Sequence, residues 1–155
     1  MDLLKGLDTQ HSALFPVGRL DRDTTGVLVI TNDGMLAHRL THPSYEIEKI
    51  YRVRTRNQVV DEQFMELKAG IELEDGLAAV DRIERLSTTG RHEVGLSIHE
   101  GRNRQIRRMF EKLGHEILQL DRIRYAGLTT TGVRSGKWRK LTPGEVSQLY
   151  RLVKL

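Results

Sequence analysis

The segment GRLDRDTTGVLVITNDG, Gly18 to Gly34, interleaves Asp21 and Asp23 with Arg19 and Arg22 and then runs into Val27 to Thr31, five residues of unbroken apolar or β-branched character. Such a run, closed by Asn32-Asp33-Gly34, predicts a buried strand and a turn whose Asn or Asp caps a short helix from Met35 to Leu40. Two carboxylates are thereby set at the mouth of a buried strand. Either they serve as structural partners for the arginines, or one of them is held ready for chemistry.

Outward from this stretch the pattern mixes helices and strands. His42-Pro43 ends the first helix, and Ile47 to Thr55 alternates so that Tyr51 and Val53 share an inward face. Val60 to Lys68 has helical spacing with Gly70 as its stop, while Ala79 to Ser87 and His92 to His99 read as a hairpin. A helix from about Asn103 to Leu113, stopped by Gly114, precedes a strand near Ile117 to Ile123. Thr142-Pro143-Gly144-Glu145 is a capping box opening a last helix toward Val153, and Met1 to Phe15 reads as a loosely structured lead-in. With no repeating βαβ period, an α+β fold is expected rather than a doubly wound sheet.

The chain has 155 residues, 38% hydrophobic and 30% charged, which fits one globular domain able to bury a core. Its apolar runs are too short for a membrane span, and no apolar signal segment follows Met1. Cysteine is absent, excluding disulfides and thiolate metal sites, and a cytoplasmic location is expected. The six histidines, His11, His38, His42, His92, His99 and His115, show no ligand spacing, so no metal is expected. The net charge is +4, and its arrangement matters more than its size: acids dominate Glu62 to Glu84, whereas Arg102 to Arg108 holds four arginines and no acid. An anionic partner fits that concentration, and a solvated helix face is the plainer alternative.

At about 100° per residue, Ile106, Met109, Phe110 and Leu113 form a narrow apolar stripe, with Arg104, Arg108 and Lys112 opposite. Arg107 falls on the border, where a guanidinium can bury its stem and reach a fixed partner. Gly101 and Asn103 at the helix start add backbone donors for an anion.

Taken in order, FPVGRLDRDTTGVLVITNDG, EKIYRV, EGRNRQIRRM and RIRYAGL resemble the RsuA family of ribosomal RNA pseudouridine synthases, most closely the RluB-like branch that modifies large-subunit RNA. The resemblance runs from Leu14 to about Glu145. It implies a pseudouridine synthase catalytic fold, with a mixed, largely antiparallel sheet and a cleft for a flipped-out uridine. It implies no metal or organic cofactor, with ribosomal RNA or a pre-ribosomal particle as partner. By position in the motifs, Asp21 is the implied nucleophile, Tyr51 the tyrosine packed on the target base, and Arg107 the arginine paired with Asp21. Neither the family's S4 domain nor its KPxG strand is recognised, so residues 1–155 are expected to be a single catalytic domain, and a monomer.

Isomerising uridine requires breaking its nitrogen-to-sugar bond, turning the base and rejoining it through carbon. A carboxylate can form a covalent intermediate and leave again if it stays ionised, which an adjacent arginine favours against burial. Attack on the base, attack on the sugar and elimination through a glycal all remain open. Tyr51 offers a stacking face and a hydroxyl for removal of the ring proton, or is simply a core tyrosine. Arg19 lies two residues before Asp21 and can fill the space that a flipped base vacates. Lys49, Arg102, Asn103, Arg104, Arg108, Arg122 and Arg124 are further candidate RNA contacts, and Trp138, the one tryptophan, is expected in the core. An Asp21/Asp23 glycosidase pair is disfavoured, because neighbouring carboxylates of one strand do not readily straddle a bond. A binding module without turnover, and a small-subunit target, are the alternatives.

Overall fold

A computed structural model describes residues 13–86 and 90–155. Most of the expected lead-in, His11 with it, and Ser87, Thr88 and Thr89, expected between the two hairpin strands, lie outside the described residues. In chain order the elements are β1 (Phe15–Pro16), β2 (Thr25–Gly26), β3 (Ile30–Thr31), α1 (Gly34–Thr41), β4 (Lys49–Thr55), α2 (Asp61–Ala69), β5 (Ile71–Leu73) and β6 (Gly76–Ala78). There follow β7 (Arg82–Arg85), β8 (Glu93–Ile98), α3 (Gln105–Lys112), β9 (Ile117–Tyr125), β10 (Leu128–Thr129) and α4 (Pro143–Leu152). The fold is α+β, as expected.

The main sheet runs β10-β9-β4-β8-β7 with antiparallel neighbours, and β2 joins β9 as its one parallel partner. Tyr51 stands opposite Arg122 across the β4–β9 pair and opposite Leu96 across β4–β8. One core covers a face of this sheet, where Val53, Val94, Leu96 and Leu120 pack with Leu67 of α2 and with Ile106, Met109 and Phe110 of α3. A second gathers Val17, Val27, Val29, Leu36, Leu40, Tyr125, Leu128, Leu149 and Val153 at the β9–β10 edge. Segment 18–26 leaves the second core at Val17 and returns to it at Val27.

Asp33 caps α1 by accepting from the Leu36 amide at 3.1 Å and also accepts from the Tyr150 hydroxyl, which ties α1 to α4. Arg39 donates to the Val153 and Lys154 carbonyls at 3.0 and 2.9 Å, closing the same junction. Thr142 and Glu145 make the expected capping box of α4.

The run Val27 to Thr31 departs from the buried strand expected of it. Val27 and Val29 are buried, Leu28 is 37% exposed, and only Ile30 and Thr31 pair as a strand, with β1. The alternation arises because this segment edges the second core instead of crossing the sheet's centre. The β5–β6 hairpin, not anticipated, occupies the acidic stretch between the second helix and the expected hairpin.

Candidate active site

Asp21 opens a tight turn in which its carbonyl accepts from the Thr24 amide at 2.9 Å, and aspartate suits the first position of such a turn. Immediately after the turn the chain docks on β9. Thr25 Oγ1 donates to Asp121 at 2.8 Å, and the Val27 amide donates to the Arg122 carbonyl at 2.9 Å. Gly26 lies between, with φ at +118°, and a Cβ there would stand 2.2 Å from the Arg122 carbonyl oxygen. Only glycine permits that approach.

Arg122 is 3% exposed. Its Nε and Nη2 both donate to the Val27 carbonyl, at 2.9 and 2.6 Å, and its guanidinium carbon lies 4.5 Å from the centre of the Tyr125 ring. It is therefore not a surface RNA contact as expected from sequence. The side chain is used up in holding the segment after the turn, and no phosphate can reach a guanidinium so enclosed.

Tyr51 is partly buried and packed against the first core. Burial raises its phenol above the ordinary value near 10; the charge of Arg122 and a hydrogen bond from it oppose the rise, and the negative charge of Asp21 adds to it. Tyr51 thus feels the charges of both Arg122 and Asp21. The hydroxyl stays protonated at neutral pH.

Arg107, whose side chain is 11% exposed, reaches from α3 to the same turn. Its carboxylate partner is Asp23, at 3.3 Å from Nη2, and Nη2 also donates to the Asp23 carbonyl at 3.1 Å. The expected pairing with Asp21 is corrected accordingly: the turn directs the Asp23 carboxylate and backbone toward α3, so the arginine fixes the turn through its third residue. Arg104 adds a longer contact to Asp23 at 3.8 Å. Beside this clasp, Thr24 Oγ1 and Arg107 Nε are buried without a partner among the described residues, the kind of unmet polar demand that collects at functional sites.

The remaining candidates divide into two groups. Arg19, Asn103, Arg104 and Arg124 are exposed, as an RNA contact requires. Lys49 is partly buried and donates to the Glu100 carbonyl at 3.4 Å; burial, and then the charge of Arg122, lower its ammonium below the usual range. Arg102 and Arg108 are engaged elsewhere. Arg108 grips both Asp75 oxygens, at 2.9 and 3.1 Å, while Arg102 reaches Asp75 at 3.2 Å and the Leu77 carbonyl at 2.8 Å. These two clamp the β5–β6 turn to the start of α3, so they are not free phosphate contacts. Trp138, expected in the core, is 39% exposed. Among the described residues no group of three or more His, Cys, Asp or Glu could hold a metal, and no helix is long and apolar enough to cross a membrane.

The site thus combines an aspartate on a turn clasped from α3 with a partly buried tyrosine on β4 and a buried arginine opposite it on β9 of the mixed sheet. The family model described as RNA pseudouridylate synthase matches residues 2–112, and the chain belongs to that family. It is 45% identical over 142 residues to the ribosomal large subunit pseudouridine synthase B of Bacillus subtilis, covering 90% of this chain and 58% of that protein. The Escherichia coli K12 protein of the same name is 40% identical over 141 residues, covering 90% and 48%. A solved structure described as a pseudouridylate synthase superposes with a TM-score of 0.81 at 34% identity, covering 88% of this chain and 59% of that one. The chain thus spans about half to three fifths of the length of these relatives.

Proposed function

We propose that this chain isomerises a uridine of large-subunit ribosomal RNA to pseudouridine, with Asp21 as the nucleophile. The observation that carries the reading is the docking of the Asp21 turn, clasped by Arg107 and followed by a segment seated on Arg122, which stands opposite Tyr51 across β9 and β4. Relatives whose printed names specify the large ribosomal subunit favour that substrate.

On this reading the uridine leaves its stack and enters the cleft, at a cost of a few kcal/mol. Asp21 forms and then releases a covalent bond while the nitrogen-to-sugar bond breaks, the base turns and the carbon-to-sugar bond forms. The ring carbon that joins the sugar gives up its proton and the freed nitrogen gains one, so no atom is lost. Tyr51 provides the aromatic face and, through its hydroxyl, orientation for that proton transfer. Arg107 acts as a positioning residue through Asp23, since a displaced turn would misplace the carboxylate.

Because the carbon-bound hydrogen of uridine must leave, RNA carrying tritium at that carbon reports the reaction directly. Wild type should release tritium to water and Asp21→Asn should release none. Equal release by both would remove Asp21 from the nucleophile's role.

A further inference from the structure

We propose that the segment from Thr129 to Lys140 is a second RNA-binding surface, on which a single-stranded stretch flanking the target uridine stacks against Trp138 between basic side chains. This rests on the reading of the chain as an RNA-modifying enzyme and extends it to a surface outside the Asp21 site.

From Thr129 to Gly144 the sequence carries Arg134, Lys137, Arg139 and Lys140 and no acid. Nearly every residue of 129–140 is exposed, including Trp138 at 39%. A core tryptophan would bury far more of its area, and an aromatic ring set among cations is the pattern that single-stranded nucleic acid selects, through stacking and phosphate neutralisation. The segment is also well formed. The Val133 amide donates to the Thr130 carbonyl and the Lys137 amide to the Arg134 carbonyl, both at 2.9 Å, making two successive tight turns. Gly132 and Gly136 supply their positive φ of 79° and 81°. Arg139 then grips both Glu145 oxygens at 2.7 Å, which anchors the residue after Trp138 to the start of α4. A tryptophan displayed on a fixed segment loses little freedom when it binds.

Its position suits a flanking contact. β10 and β2 lie along the same edge of β9, with Thr129 opposite Arg124 and Thr25 opposite Asp121. Three residues of strand separate those rows, about 10 Å. RNA leaving the Asp21 turn along this edge meets Arg124 and then the basic segment within two or three nucleotides. Arg134, Lys137 and Lys140 have no ion-pair partner among the described residues, so their charge is available to phosphates.

Trp138 is the sole tryptophan, so its fluorescence reports this surface alone. The test titrates the chain with a single-stranded, uridine-containing RNA of about twelve nucleotides and follows fluorescence and anisotropy of the labelled RNA in parallel. Quenching should track binding. Trp138→Ala should weaken affinity about tenfold with an unchanged melting temperature, Trp138→Phe should retain most of it, and Lys137→Glu should flatten the salt dependence by about 0.7 in log–log slope. Tritium release by Trp138→Ala should show a raised KM and an unchanged kcat. RNA binding with unquenched tryptophan and an unaltered Trp138→Ala affinity overturns this surface while leaving the isomerase reading intact. Quenching by a ribosomal protein but not by RNA also overturns it. Absence of both RNA binding and tritium release would remove this surface and the isomerase reading together.

Discussion

Replacing Gly26 by alanine should dislodge the Asp21 turn. The added Cβ would lie 2.2, 2.6 and 2.7 Å from the carbonyl oxygen, amide nitrogen and carbonyl carbon of Arg122, all backbone atoms of the central part of β9 that cannot swing aside. A φ of +118° adds strain of roughly 1–3 kcal/mol for a residue with a side chain. If β2 lifts away, the Val27 amide loses its bond to Arg122, about 1 kcal/mol, and the charged bonds from Arg122 to the Val27 carbonyl go with it, at roughly 1.5–3 kcal/mol. Together the substitution should cost about 3.5–7 kcal/mol, lowering the melting temperature by roughly 10–20 °C for a chain of this size. Gly34→Ala is the control, since a Cβ there meets nothing within 4 Å at the start of a helix. Calorimetry and tritium release on the two variants decide the matter: Gly26→Ala should melt early and lose at least a hundredfold in activity, with Gly34→Ala close to wild type. A Gly26→Ala protein that melts and turns over like wild type would refute the docking of the turn on β9.

Arg107→Lys should leave stability within about 1 kcal/mol of wild type, because Asp23 is 56% exposed, yet lower kcat about a hundredfold by loosening the turn; urea unfolding beside tritium release separates the two effects. Arg122→Met keeps the bulk of the side chain but strands the Val27 carbonyl, and should destabilise by about 2–3 kcal/mol in urea unfolding. His115 is buried, and burial lowers its imidazole below the ordinary 6.5. The unfolded chain then binds the proton more readily than the folded one, so stability should fall as pH drops from 6.5 toward the lowered folded value. His115→Gln should flatten that part of the stability–pH curve.

Much of the fold is visible in local signals. Asp33 at the end of the first apolar run, Gly70 after the second helix and the Thr142–Glu145 box mark helix ends through chemistry confined to a few neighbouring residues, and the structure keeps all three. The stripe of Ile106, Met109 and Phe110 likewise fixes which face of α3 is buried. The partners of the arginines are a different matter. Within Arg102 to Arg108 no acid appears, so the segment reads as free charge; the acids arrive from Asp23 and Asp75, far away in sequence. Arg122 sits in an alternating strand like any solvent-facing basic residue, and only its register opposite Gly26 and Tyr51 turns it inward. The one sequence signal for that burial is Gly26 itself, a glycine required where two backbones meet.

The most direct test of the central claim is a nucleotide-resolution map of pseudouridine in large-subunit ribosomal RNA incubated with wild type or Asp21→Asn, read as carbodiimide-dependent reverse-transcriptase stops. A stop produced by wild type and missing with Asp21→Asn is the predicted result. No stop from wild type, on naked RNA and on ribosomal precursors alike, or the same stop from both proteins, would contradict it.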